Sequence, residues 1–166
     1  MVNELAYTVG SADNSRRYAI EVDLTEGYSA TSVHGLIIDG SPALVVATSA
    51  GASRIHEHSF LVLDSAVYFA VGMHVVRFTP GRERADWILQ TDEATCFGVH
   101  YSRQHDALIS HGEIAISRFT REGKILWTAG GADIFSEGFE ILEDCLETKD
   151  FGHRVYRFDY DGQLMT

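Results

Sequence analysis

Hydrophobic residues occur along this chain in short runs that glycine, aspartate and proline turns separate. The runs are rich in Val, Ile, Phe and Tyr, which is the composition of β-strands. From Phe60 onwards they group into units of four candidate strands. The predicted strands are 60–63, 66–71, 73–79 and 86–90, then 97–101, 107–110, 114–120 and 124–128, then 139–142, 146–149, 154–160 and 163–165. The pattern therefore predicts an all-β fold of antiparallel four-stranded units.

The third strand of each unit carries nearly the same Arg-Phe core. Gly72, Gly112 and Gly152 precede the three copies at intervals of 40 residues. A period of this length with several strands in it predicts a repeat architecture. The three cores are Val76-Arg77-Phe78-Thr79, Ser117-Arg118-Phe119-Thr120 and Tyr156-Arg157-Phe158-Asp159.

Alternation along the repeated strand places sizeable apolar groups on both faces. Val75 and Arg77 share one face, and Val76 and Phe78 share the other. A strand with two apolar faces is covered on two sides, as in sheets that pack face against face. The sequence therefore predicts a propeller-like arrangement or an open stacked meander. The chain length of 166 residues corresponds to just over four such units.

The organisation predicted is one domain over 1–166. Residues 1–58 form a β-rich capping element or a degenerate repeat, with candidate strands at 5–9, 18–24, 35–39 and 43–48. No Arg-Phe core occurs there. The repeats themselves cover 59–92, 97–131 and 138–166.

One segment is ambiguous between strand and helix. Phe135, Phe139, Leu142 and Leu146 are spaced by four, three and four residues, which is helical periodicity. The corresponding segments of the earlier units begin with Phe60 and Phe97, and local consistency of the repeat favours a strand. A helix over 133–147 is the alternative.

The strings Ile116-Ser-Arg-Phe-Thr-Arg-Glu-Gly-Lys-Ile-Leu-Trp127 and Val155-Tyr-Arg-Phe-Asp-Tyr-Asp-Gly-Gln163 carry a family resemblance. They resemble blades of quinoprotein-type and NHL-type β-propellers, in which a strand ends in a turn with glycine and the next strand carries an aromatic residue. The resemblance covers about residues 60–166 and implies propeller-type blades. It implies no single activity, because propellers of this kind include enzymes, sensors and scaffolds.

Composition narrows the classes of partner. The net charge of −11 opposes binding to nucleic acid and to anionic membrane surfaces. Two cysteines and an N-terminus without a basic or apolar leader segment favour a cytoplasmic location. The apolar runs are far shorter than the roughly 20 residues of a membrane helix.

Histidines are the strongest candidates for chemistry. His56 and His58 lie on one face if the segment is extended, and His100 and His111 are candidate companions, together with His34 and His74. No metal-binding motif supports the set, so a metal stays an open question and no cofactor is expected. The repetition of Arg77, Arg118 and Arg157 in every unit favours a structural role, with each guanidinium bonded to the next sheet.

The sequence thus favours a binding module over an enzyme. The expected partner is a protein or a small molecule, and the sheets could be completed by self-association into a homo-oligomer. The alternative is a small hydrolase or lyase that uses the histidines, with or without a divalent metal.

Overall fold

The computed structural model describes residues 1–165. They form fifteen strands in four sheets, and none of them is helical. Within this range no helix is long and apolar enough to cross a membrane. Sheet A contains β1 (Val2–Asn3), β2 (Ile20–Leu24), β3 (Ser32–Ile38) and β4 (Ser41–Thr48); sheet B contains β5 (Phe60–Leu63), β6 (Ala66–Val71), β7 (His74–Phe78) and β8 (Trp87–Gln90); sheet C contains β9 (Cys96–Ser102), β10 (Ala107–Gly112), β11 (Ala115–Phe119) and β12 (Ile125–Gly130); sheet D contains β13 (Phe135–Ile141), β14 (Leu146–Asp150) and β15 (Val155–Phe158).

Sheets B and C are antiparallel meanders of four strands, which confirms the predicted unit. Asp64 and Ser65 form the first hairpin turn of sheet B with φ of 51° and 65°. Positive φ at both central residues is the geometry that matches the twist of the flanking strands. The two sheets therefore follow from short alternating strands joined by tight turns.

Sheet D has three strands, in the order β13-β14-β15. The prediction of a fourth strand over 163–165 was wrong, because only Leu164 forms an isolated bridge with Phe158. The strand prediction for the ambiguous segment is confirmed, and the helix over 133–147 is absent. The register of β13 against β14 shifts between Phe135 and Phe139 around Gly138, whose φ is 115°. A bulged strand and a turn thus account for the helix-like spacing.

Sheet A differs from the repeat. Its order is β1-β3-β4-β2, and β2 runs parallel to β4. The predicted strand over 5–9 was wrong, because this segment forms turns. Tyr7 and Tyr18 instead pack edge to face and join Val33, Val45 and Ala47 in a cluster on one face of sheet A. The early segment therefore covers the end of the stack.

The four sheets stack in chain order, with a hydrophobic layer between each sheet and the next. Val76 packs towards sheet A and Val75 packs towards sheet C, which confirms two covered faces for sheet B. Sheet D is covered on one face only, since Tyr156 is buried but Val155 is 44% exposed. Within residues 1–165, no hydrogen bond or hydrophobic cluster joins sheet A to sheet D. The described sheets form an open arc.

Candidate functional site: a histidine cluster at the inner edge

The repeated arginines lie on the third strands of sheets B, C and D. Arg118 reaches the next sheet, where Nη1 donates to the carbonyl oxygen of Tyr160 at 2.6 Å. Arg77 instead pairs with Asp86 of its own sheet at 3.1 Å, and Arg157 with Glu147 of its own sheet at 2.7 Å. The expectation that each guanidinium bonds to the next sheet therefore fails for two of the three. These two arginines find carboxylates on neighbouring strands or turns.

Tryptophans make the recurrent link between sheets. Trp87 of β8 donates its indole N–H to the carbonyl oxygen of Arg121 in sheet C at 2.8 Å. Trp127 of β12 donates in the same way to Tyr160 in sheet D at 3.0 Å. A buried indole N–H normally finds such a partner. Both tryptophans are thus engaged in joining consecutive sheets.

The four histidines singled out from the sequence come together at one edge of the stack. His56 and His58 belong to the connector (residues 49–59) between β4 and β5, His100 lies on β9, and His111 lies on β10. We call these four residues the histidine cluster. We call the edge formed by β5, β9, β13 and the connector the inner edge.

One backbone and one side-chain hydrogen bond hold the connector against the edge of β9. The carbonyl oxygen of His58 accepts the N–H of Val99 at 2.9 Å, and Nε2 of His56 lies 2.7 Å from the carbonyl oxygen of Phe97. The approach requires glycine at position 98, because a Cβ there would lie 2.9 Å from the carbonyl oxygen of His58. The local backbone thus fixes where the connector crosses sheet C.

The ring contacts in the cluster run through three parts of the chain. The centroid of His100 lies 4.7 Å from that of His58 and 6.4 Å from that of His111. Phe139 of sheet D packs against both sheet C imidazoles, at 4.6 Å from His100 and stacked at 4.9 Å on His111. The cluster therefore lies where the connector, sheet C and sheet D meet.

The tautomer of His56 follows from its two hydrogen bonds. Nε2 must donate to the carbonyl oxygen of Phe97, since a carbonyl only accepts. Nδ1 must accept, because the backbone N–H of His58 donates to it at 3.2 Å. The two bonds therefore place a ring proton of His56 on Nε2.

Partial burial favours the neutral form of the two sheet C imidazoles. Loss of solvation, with the neighbouring His58, His111 and His56 adding repulsion, lowers the pKa of His100 to about 3. Burial and the same connector histidines lower the pKa of His111 to about 4. Nε2 of each ring is buried without a hydrogen-bond partner. A buried ring nitrogen without a hydrogen-bond partner costs free energy, so the histidine cluster is poorly suited to carry positive charge.

The remaining polar candidates lie apart from this cluster or are chemically inert. His34 bonds to Ser53 at 2.8 Å, and burial lowers its pKa to about 4. Burial raises the pKa of Cys96 to about 12, so its thiol stays protonated and unreactive at neutral pH. Among residues 1–165, no group of three or more His, Cys, Asp or Glu side chains is arranged to hold a metal ion.

Two aromatic rings that border the histidine cluster, those of Phe97 and Phe139, were not among the site residues predicted from the sequence. The ring of Phe97 lies 5.4 Å from that of His111, and Phe139 touches two of the imidazoles. The available signal was that both residues sit in the first strand of their repeat. Phe97 meets His111 across two strands of one sheet, and Phe139 meets His100 and His111 only because sheet D stacks on sheet C, which periodicity does not report.

A separate cleft opens between sheets B and C, with a volume of about 490 Å³. Its polar lining includes Asp92 and Glu93, and no lysine or arginine contributes to it. The Asp92 carboxylate is already engaged, because it accepts the backbone N–H groups of Ala94, Ile114 and Ala115 at 2.6, 3.0 and 2.9 Å. The cleft is thus an acidic, partly apolar surface feature that no histidine lines.

No protein-family model and no curated protein matches the sequence. Solved structures do match the fold. The WD40 β-propeller domain of Doa1 aligns with a TM-score of 0.51 at 11% identity, over 87% of this chain and 52% of that one. BamB from Moraxella catarrhalis aligns with a TM-score of 0.53 at 15% identity, over 88% of this chain and 49% of that one.

The sheets are β-propeller-type blades. The computationally designed Ika4 protein is also similar, with a TM-score of 0.54 at 8% identity over 69% of this chain and 76% of that one. Identities this low establish the fold and no activity. The propeller-type arc described here spans about half the length of the BamB and Doa1 chains that it matches.

Proposed function

We propose that this protein is an interaction module whose inner edge binds a protein partner. The observation that carries the proposal is that large side chains elsewhere in the stack bond to the next sheet, whereas apolar side chains at the inner edge are exposed. Trp87, Trp127 and Arg118 are engaged in joining sheets. On β5, by contrast, Phe60 is 39% and Val62 is 63% exposed.

Exposed apolar side chains rimmed by polar ones are typical of protein-binding surfaces. Beside β5, the side chains of Glu57 and His58 are 84% and 53% exposed. The free edge of β5 also presents unpaired backbone groups, which can accept an extended segment of a partner. The inner edge therefore combines apolar, charged and backbone features within a short distance.

The test compares an inner-edge variant with a matched variant elsewhere. Val62→Asp changes the proposed surface, and Leu126→Asp changes an exposed aliphatic side chain on β12, where Leu126 is 51% exposed. Tagged proteins with unchanged melting temperature are used to capture binders from a lysate of the source organism. We expect the wild type and L126D to enrich the same proteins and V62D to lose them. Equal enrichment by V62D would refute the proposal.

The cleft between sheets B and C supports small-ligand binding as a second candidate. A volume of about 490 Å³ lies in the range of ligand pockets, and an acidic lining suits a cationic group on an apolar body. Ile114→Trp would fill the cleft from its rim, where Ile114 is 41% exposed. A thermal-shift screen with aromatic amines should give hits with the wild type that I114W loses, and an absence of hits would reject this candidate.

A further inference from the structure

The histidine cluster holds together parts of the protein that no strand ladder joins. The connector and sheet C meet through the bond from Val99 N–H to the carbonyl oxygen of His58, and sheet D contributes the ring of Phe139. Each of these links is made by only a few residues. A junction of this kind can open while the sheets on either side remain folded, because local opening costs less than global unfolding.

The charge effects that lower the pKa of the two half-buried imidazoles come from other histidines. Repulsion from His58, His111 and His56 lowers the pKa of His100, and repulsion from His56 and His58 lowers the pKa of His111. Glu57 lies 3.4 Å from Nε2 of His58, with its side chain 84% exposed. Sheet D packs against the pair through Phe139, which has no charge. A proton on His100 or His111 would therefore meet repulsion and lost solvation without a buried carboxylate to offset them.

We propose that the histidine cluster is an acid-sensitive latch whose protonation releases the connector from sheet C while the four sheets stay folded. The released state exposes to water the ring of His100, which His58 covers in the closed state, and His100 then takes up a proton. Acidification would thereby uncover the free edge of β9. This inference concerns the isolated protein and is independent of the identity of any partner.

The size of the response follows from proton linkage. An exposed histidine titrates near 6.5, whereas the latched pair remains neutral well below that pH. Opening that exposes one such histidine becomes about tenfold more favourable for each pH unit below 6.5, and about a hundredfold if both are exposed. At pH 7 and above, the latch is closed.

Amide hydrogen exchange of the wild-type protein at pH 7 and pH 5 tests the latch, after correction for intrinsic rates. The reporter is the amide of Val99, and the references are amides of β6 and β10. We expect protection at Val99 to fall at least tenfold at pH 5 while the references keep theirs. Parallel loss at all positions would mean global unfolding and would overturn the proposal, as would unchanged protection at Val99.

Two variants separate the latch from other acid effects. H100Q/H111Q removes both titrating imidazoles of sheet C and should leave Val99 protection independent of pH between 7 and 5. His153→Gln changes a histidine whose side chain is 78% exposed, and it should respond like the wild type. If the double variant does not fold, H100Q alone should lose most of the response. A full response in either cluster variant contradicts the latch.

Discussion

Trp87 lies so close to Gly123 of the next sheet that a Cβ on this glycine would fall 2.7 Å from Cδ2 of the indole. Trp127 and Gly162 repeat the arrangement between sheets C and D, with a distance of 2.6 Å. Each tryptophan thus packs its ring on a glycine turn and donates its N–H to a carbonyl of the same turn. These two contacts join sheet B to sheet C and sheet C to sheet D.

Replacing Gly123 by alanine should therefore destabilise the protein through two effects. The φ of 79° costs a residue with a Cβ about 1 kcal/mol, and the collision with the indole adds about 1–3 kcal/mol of overpacking. Gly81→Ala is the matched control, since Gly81 has a φ of 87° and open space around it. Urea unfolding should show a larger loss for G123A than for G81A. Equal losses would mean that the indole moves aside freely.

The indole hydrogen bond can be separated from the packing by Trp87→Phe. This variant leaves the carbonyl of Arg121 without its donor at 2.8 Å while keeping an aromatic ring. We expect a loss of about 1–3 kcal/mol in the free energy of unfolding. W127F should lose less, because the carbonyl oxygen of Tyr160 still accepts from Nη1 of Arg118 at 2.6 Å. Urea titrations of both variants check this, and a neutral effect in both would show that water replaces the bond.

Asp92 should be among the most sensitive charged residues. It is 4% exposed, accepts the N–H of Ala94 in its own loop, and ties the end of sheet B to the start of β11 through the N–H groups of Ile114 and Ala115. Asp92→Ala leaves these donors unpaired, at an expected cost of about 3 kcal/mol or more. Glu93→Ala, at the exposed neighbouring position, should change the free energy of unfolding by less than about 0.5 kcal/mol. Similar losses in the two variants would contradict the bridging role.

The global stability should fall as the pH drops below 6.5. His34, His100 and His111 have folded pKa values of about 4, 3 and 4, below the unfolded value near 6.5. Between pH 6.5 and 5 the unfolded chain binds protons that the folded protein excludes, so unfolding is favoured. Each histidine contributes at most about 1.4 kcal/mol per pH unit. Chemical denaturation at several pH values checks the slope, and a flat profile from pH 7.5 to 5 would contradict these depressed values.

Both end faces of the described arc are finished with side chains that oppose stacking of further copies. Tyr7 and Tyr18 cover sheet A, and sheet D presents the ion pair between Arg157 and Glu147. Terminal repeats with a polar outer face are a common way to keep a stack soluble. We therefore expect sedimentation velocity to show a monomer, although the sequence also permits a homo-oligomer. A concentration-independent dimer would contradict this expectation.

Much of the blade was predictable from local pattern, and the failures have identifiable causes. The strands of sheets B and C follow from alternation between turns such as Asp64-Ser65. The strand over 5–9 was wrongly predicted because Tyr7 looks like a strand residue, whereas it packs as a cap beside Tyr18. The helix-like spacing around Phe139 comes from a bulge at Gly138. A bulge or a cap depends on partners far along the chain, which short-range periodicity does not contain.

The sequence alone determined the all-β class, the period of 40 residues and the histidines that merited attention, because alternation, turn residues and composition act locally. The tertiary structure decided which of those histidines meet and what surrounds them. His100 contacts His58 only because the connector crosses the edge of β9, and Phe139 closes the cluster only because sheet D stacks on sheet C. The charge state of the imidazoles follows in turn from this burial, since solvation depends on neighbours brought together by the fold.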